Sequence, residues 1–183
     1  MHPNGAMKIF GWNYRGIYNA ATIRALKAQI ESSKPDFIFL CETKASKKRM
    51  DQVMNSLNFS FNFVVDAKGL ARGLCLMWKA GFVVKLVDFN KDLIVVNISD
   101  ATCAWNLVVF YGPPYAVKKR KAWENLATFF QCPWLCLGDF NYTFNDDESN
   151  GCKKGRPSFN NFLQELMFNK SAIDLSFFGN QYT

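Results

Sequence analysis

The sequence predicts an α/β fold built on a mixed sheet, and three observations carry that prediction. Strand-like runs and helical periodicity alternate over residues 8–57, as in a βα unit. Five β-rich runs then follow one another between 59 and 111 with no helix among them, as in a meander. A helix, a strand and a helix close the chain. The 183 residues, 49% of them apolar, suit a single domain, 1–183, with a core of its own.

The elements follow in order. Residues 8–12 (KIFGW) form a short strand ending on Asn13. Residues 19–33 read as a helix: Asn19 is a candidate cap, and Ile23, Leu26 and Ile30 share one face. Pro35 separates it from the apolar strand 37–41 (FIFLC). A second helix over 47–57 carries Met50, Val53, Met54 and Leu57 as its stripe. Phe59, Phe61 and Phe63 alternate with other residues at strand period. Runs 73–78 and 82–88 read as paired strands around Lys79, Ala80 and Gly81. Runs 93–98 and 105–111 follow, split by 99–104, until Gly112, Pro113 and Pro114 break the ladder. A third helix is expected over 119–130, with Trp123, Leu126, Ala127 and Phe130 inward. Strand 135–137 leads into a polar loop, 140–157. Ser158 is the candidate cap of a fourth helix ending near Phe168, and 173–178 is a last apolar piece. The chain then stops at the start of another expected strand, so the sheet is expected to lack its last strands.

Composition narrows the function classes. The net charge of +7, from 22 Lys+Arg against 15 Asp+Glu, suits a polyanionic partner, although ordinary surface charge gives the same sum. Cys41, Cys75 and Cys136 fall in apolar runs and read as reduced core residues. Cys132 and Cys136 lack the second pair that a zinc site needs. No leader is visible in residues 1–8, and no window resembles a membrane span. A reducing compartment, nucleus or cytoplasm, is expected.

Three apolar runs end on a residue with a carboxylate or amide: Asn13, Glu42 and Asp139. Strand ends of this kind are where metal and phosphate sites form. A carboxylate such as Glu42 suits Mg²⁺, which takes hard oxygen ligands and needs only one or two of them. Asp139 can accept a proton or orient a water, and Asn141 can donate to a phosphoryl oxygen as charge develops. An Asx turn at a strand end explains the same pair without chemistry. Asn13 can hold a ligating carboxylate in place. Tyr111 can bond a phosphate or simply end its strand half-buried. The one histidine, His2, is far from all of these in sequence. Basic residues come shortly after these positions: Arg15, Lys44, Lys118, Lys119, Arg120, Lys153, Lys154 and Arg156. If the strand ends share one edge, this rim is suited to tracking a nucleic-acid backbone. Otherwise it is a set of solvated surfaces.

Together these segments resemble the endonuclease/exonuclease/phosphatase superfamily, most closely the apurinic-type endonuclease domain of plant LINE-like retrotransposons. The likeness is carried in order by KIFGWNYRG at 8–16, KPDFIFLCETK at 34–44, GLCLMWKAG at 73–81, FYGPP at 110–114, LCLGDFN at 135–141 and KGRPSFNNFLQEL at 154–166. The end of the chain, 173–183, fits as well. The resemblance implies a two-sheet α/β sandwich of the DNase I-like type. It implies Mg²⁺-dependent hydrolysis of a DNA phosphodiester, with Mn²⁺ as the substitute ion. It assigns Glu42 and Asn13 to the metal side, Tyr111 to phosphate contact, Asp139 to the attacking water, and Asn141 to the pentacovalent phosphorus.

The sequence departs from the family in three places. The late Ser-Asp-His motif is absent, so weak or absent catalysis is expected. Tyr14 replaces a usual Cys. Ala71, Arg72 and Gly73 replace a Ser-Gly-Gly-like loop, where Arg72 either adds phosphate affinity or obstructs the groove. The alternative expectation is a non-catalytic module that binds nucleic acid. A protein partner or a second copy over the uncovered sheet is the other non-catalytic form.

Overall fold

β2 (Phe37–Cys41) is buried along its whole length, and the alternation of its side chains sets the layers of the molecule. Ile38 and Leu40 face one apolar cluster, whereas Phe37, Phe39 and Cys41 face another. A strand covered on both faces needs apolar residues at every position, which is why this run shows no polar alternation. The structure is a computed structural model, and it describes residues 6–13, 16, 20–67, 72–99, 103–131, 133–142 and 160–175. Among these residues it contains two four-stranded sheets, in orders β1-β2-β4-β3 and β5-β6-β7-β8. The first holds β1 (Ile9–Asn13), β2, β4 (Leu74–Trp78) and β3 (Phe61–Val65). The second holds β5 (Val83–Phe89), β6 (Leu93–Ser99), β7 (Ala104–Tyr111) and β8 (Trp134–Asp139).

The same alternation organises the other central strands. Leu74 and Leu76 of β4, Ile94, Val96 and Ile98 of β6, and Leu107, Val109 and Tyr111 of β7 fill the layer between the sheets. Their neighbours along each strand point outward to the helices. Cys75 and Met77 meet α1 (Ala20–Ser33) and α2 (Lys47–Ser56) through Leu26, Met50 and Val53. Val95, Val108 and Phe110 meet α3 (Ala116–Ala127) and α4 (Asn160–Asn169) through Trp123, Leu126 and Leu163. The order helix, sheet, sheet, helix is the α/β sandwich of the DNase I-like type, with both sheets mixed.

Several expectations need correction. The meander does not continue one sheet. β4 pairs with β2 and β3, while β5 pairs with β6, so runs 73–78 and 82–88 are not hairpin partners. The intervening turn, with Gly81 at φ +101°, carries the chain from one sheet to the other. Phe59 belongs to the α2 layer rather than to β3, where it is buried beside Leu57. The third helix starts at Ala116, three residues before the expected position, and Phe130 packs inward from beyond its end. Ile173 and Leu175 form no element and are 82% and 71% exposed. Cys41 and Cys75 are buried free thiols as expected. The caps proposed at Asn19 and Ser158, together with His2, Tyr14, Ala71, Cys132 and the loop at 143–157, lie outside the described residues. Among the described residues no helix is long and apolar enough to cross a membrane.

Candidate active site

Parallel pairing brings the candidate residues to one end of the sandwich. β1 and β2 run parallel with Asn13 opposite Cys41, so Glu42 follows directly at the same edge. β7 and β8 run parallel in the second sheet with Tyr111 opposite Asp139. Four strands therefore end at the same face, two from each sheet. Glycines let them meet there. A Cβ at Gly138, where φ is +147°, would stand 1.8 Å from the Phe110 carbonyl oxygen. One at Gly112 would stand 2.3 Å from the Phe140 carbonyl oxygen, and one at Gly11 would stand 2.7 Å from Leu137.

Asn13 joins the two sheets. Its Nδ2 donates to Asp139 Oδ2 at 2.8 Å and, more weakly, to Glu42 Oε1 at 3.5 Å. Its Oδ1 is buried and has no partner. The Tyr111 hydroxyl donates a short hydrogen bond to the same Oε1 of Glu42. Burial, and then the bond to the Glu42 carboxylate and that group's charge, raise the Tyr111 phenol above its ordinary 10.0. Tyr111 is thus a neutral donor throughout the physiological range.

Asp139 and Asn141 form a tight turn beyond β8. Asp139 Oδ1 accepts from the Asn141 backbone N–H at 2.8 Å, and Asn141 Nδ2 donates to the Gly112 carbonyl at 2.7 Å. The Asx turn is therefore real, and it also fixes the Asp139 carboxylate against Asn13. Phe140, between them, packs on Phe110 with ring centroids 5.3 Å apart. Lys119 of α3 donates to the Asn141 carbonyl. Partial burial lowers the Lys119 ammonium below its ordinary 10.5, against the opposing pull of Asp139. Glu42 and Asn141 hold left-handed backbone at φ 54° and 50°, a conformation that non-glycine residues keep only where surrounding contacts enforce it.

A cleft of about 470 Å³ opens beside these groups, lined by Trp12, Asn13, Phe39, Cys41, Asp139 and Tyr142 among others. Trp12 and Tyr142 were not anticipated as cleft residues; both flank a predicted site residue by one position, a signal too common to use. Burial and the negative charges of Asp139 and Glu42 push the Cys41 thiol up to about 12, so it stays protonated.

Among the described residues no group of three or more His, Cys, Asp and Glu side chains gathers as a metal cluster. The oxygens present are two carboxylates, Glu42 and Asp139, the orphaned Asn13 Oδ1 and the Tyr111 hydroxyl. Oxygen ligands with no more than two carboxylates are the set that Mg²⁺ accepts, and an unpartnered buried amide oxygen fits such a cation.

The basic residues divide. Lys119 reaches the site. Lys44, half-buried just after Glu42 with φ 51°, gives its backbone N–H to the Arg72 carbonyl at 2.8 Å. Arg72 pairs with Asp92 and lies 5.9 Å from the Tyr111 ring centroid. Lys118 is exposed and lines a second groove with Lys91, Lys121 and Asn125. Arg120 turns away, bonding Glu124 at 3.0 Å and covering Phe162. Arg15, Lys153, Lys154 and Arg156 lie outside the described residues.

Residues 10–183 match the endonuclease/exonuclease/phosphatase family. The chain belongs to that family. Among solved structures it is similar to an AP endonuclease from Archaeoglobus fulgidus at 15% identity and a TM-score of 0.68, covering 90% of this chain and 71% of that one. An AP endonuclease from Leishmania major is 16% identical, with a TM-score of 0.65 and coverage of 90% and 66%. A 3′ phosphatase from Neisseria, solved with a product DNA hairpin, is 16% identical, with a TM-score of 0.65 and coverage of 89% and 71%. At such identities the likeness speaks for the fold alone, and this endonuclease/exonuclease/phosphatase chain spans only part of each of these proteins. No curated protein matches it.

Proposed function

We propose that this chain, read as one domain over 1–183, is a Mg²⁺-dependent DNA phosphodiester hydrolase-like protein of low turnover. The observation that carries the reading is the Asn13 side chain, which ties Glu42 of one sheet to Asp139 of the other. Structural carboxylates at strand ends have no need of such a link. A phosphoester site needs two fixed acidic groups and few other parts. Glu42 and the Asn13 Oδ1 would hold the Mg²⁺ ion, with Mn²⁺ as a substitute. When bound, that ion would supply positive charge for a phosphoryl oxygen. Asp139, fixed by Asn13 and by the Asn141 backbone, orients the attacking water and accepts its proton. Asn141 has one amide proton on Gly112 and offers the other to the phosphate. Tyr111 donates and Lys119 adds charge. The low turnover is proposed for residues 1–183 as they stand, whose one histidine is His2; among the described residues no imidazole stands beside Asp139.

DNA is the favoured polyanion, on the net charge of +7 and the lysines of α3. The motif likeness to plant LINE-like endonuclease domains suggests a retrotransposon-derived protein of the nucleus or cytoplasm. A non-catalytic binding role is the second reading. It is favoured by Phe61, Val83, Val87 and Phe89, each about half exposed or more along β3 and β5, which suit a protein partner or a second copy.

Nicking of supercoiled plasmid across a Mg²⁺ titration tests the lead reading. Slow, chelator-sensitive nicking that disappears in Glu42→Ala and Asn141→Ala is the expected result. Absence of nicking, or equal nicking by all three proteins, would leave the binding role as the better account.

A further inference from the structure

Asp92 is a carboxylate outside the strand-end cluster, and it is 8% exposed. Arg72 and Lys91 both pair with it. Its turn is built by Asn90, whose Oδ1 accepts the backbone N–H of Asp92 at 2.7 Å and of Leu93 at 3.1 Å. The Asp92 carbonyl in turn accepts the backbone N–H of Tyr111 at 2.8 Å. Arg72 is anchored at the opposite side. Its carbonyl takes the Lys44 N–H at 2.8 Å, and the Gly73 carbonyl takes the Thr43 N–H at 3.1 Å. The segment leaving Glu42 is thus clipped to the segment that carries Arg72. From there the guanidinium crosses to the second sheet, pairs with Asp92 and faces the Tyr111 ring at 5.9 Å.

We propose that Arg72 and Asp92 form a positioning pair that sets the Tyr111 phenol on Glu42. Both ends of the Tyr111–Glu42 hydrogen bond depend on the same arginine. Its backbone locates the Glu42 side, and its side chain, through Asp92 and the ring face, locates the Tyr111 side. The left-handed φ of 65° at Arg72 is a conformation that persists only when contacts hold it. A planar guanidinium suits this place better than an ammonium, because it pairs with a carboxylate while lying over an aromatic face. Asp92 lies in a turn between two strands, away from any motif, so spacing alone does not reveal it.

The hydrolytic consequence rests on the function proposed above; the positioning itself does not, and two readouts separate them. In protein carrying ¹³C at tyrosine Cζ, the resonance lost in Tyr111→Phe identifies Tyr111 among the 6 tyrosines. That shift responds to the hydrogen bond the phenol donates. Arg72→Met, Asp92→Asn and Arg72→Lys are each expected to move it toward its value in Glu42→Gln, with the other tyrosine resonances unmoved. The Arg72→Met/Asp92→Asn double variant is expected to move it no further than either single change. Arg72→Lys, which keeps a cation for Asp92, is also expected to lower kcat about tenfold with KM held within about twofold. A Tyr111 resonance at its wild-type position in Arg72→Lys overturns the proposal even if Arg72→Met fails to fold. A moved resonance in protein that hydrolyses nothing supports the pair and counts against the hydrolase reading.

Discussion

At the scale of single residues, Asn13 decides how the site is assembled. One amide makes the connection between sheets, and its other atom is left buried without a partner. Asn13→Ala removes both, leaving Asp139 on its bond from the Asn141 N–H and Glu42 on its bond from the Tyr111 hydroxyl. The expected outcome is a half-saturating Mg²⁺ concentration raised at least ~10–100-fold in the nicking assay, the scale typical of losing the group that orients a ligand, here together with the amide oxygen proposed to face the ion. An unchanged Mg²⁺ dependence would mean that the amide is structural. Asn13, Glu42, Tyr111 and Asp139 were legible in the sequence as candidates because each closes an apolar run, with Asn141 two residues beyond Asp139, and strand ends are where side chains emerge together. Asp92 and the fate of Arg72 were not legible. Their pairing bridges two sheets across 20 residues, and nothing in local spacing encodes which sheet a strand joins. Arg120 shows the same limit from the other side. Its neighbourhood in sequence is basic, yet Glu124 four residues on and Phe162 of α4 hold it away from the cleft.

At the scale of elements, the close approaches at Gly112 and Gly138 govern whether β7 and β8 can place Tyr111 beside Asp139, and Gly81, in an open turn, is the contrast. Gly138→Ala would drive a methyl group into the Phe110 carbonyl from a backbone conformation hostile to alanine. Gly81→Ala imposes only the backbone penalty, since nothing lies within 4 Å of its would-be Cβ. Chemical denaturation should therefore show a loss of ~1–2 kcal/mol for Gly81→Ala and more than about 3 kcal/mol for Gly138→Ala. Similar losses for the two would place the strand contact elsewhere. The strands themselves were readable because β2 and β4 are continuous apolar runs and β6 nearly so. Their partners were not readable. Lys79, Ala80 and Gly81 look like a hairpin turn between two β-rich runs, and a turn of that chemistry is indifferent to whether the chain doubles back or crosses to a second sheet. The distinction lies in burial: β4 is covered on both faces, whereas β5 is exposed along most of its length and bulges between Leu86 and Asp88. A bulge and the charged Lys85 are features that blunt a free sheet edge.

At the scale of the whole molecule, the sandwich buries thiols that titrate late. Burial raises Cys75 above its ordinary 9.0, with Asp51 adding to the effect; the half-buried Cys136 is shifted upward by desolvation as well, and Tyr111 is raised above 10.0. A group whose folded value is raised holds its proton longer in the native state. Its contribution to stability is complete below the unfolded value and is lost as pH climbs through the folded one. Lys119, lowered by burial, works in the opposite sense at higher pH and is a single group against several. Melting temperature should thus change little on account of these groups between about pH 7 and 9, then fall; Cys75→Ala should make that fall shallower. A melting temperature that rises above pH 9 would refute the assignment. The architecture that buries these thiols also brings two sheets' strand ends to a shared face, and the central claim is that this face performs phosphodiester hydrolysis through Asp139. Single-turnover cleavage of an end-labelled DNA duplex at saturating Mg²⁺, comparing the native chain with Asp139→Asn, tests it most directly. The account predicts slow cleavage by the native chain and a rate lower by ~10²–10⁴-fold in the variant, with the fold intact by circular dichroism. Equal rates in the two proteins, or no cleavage by either, would contradict it.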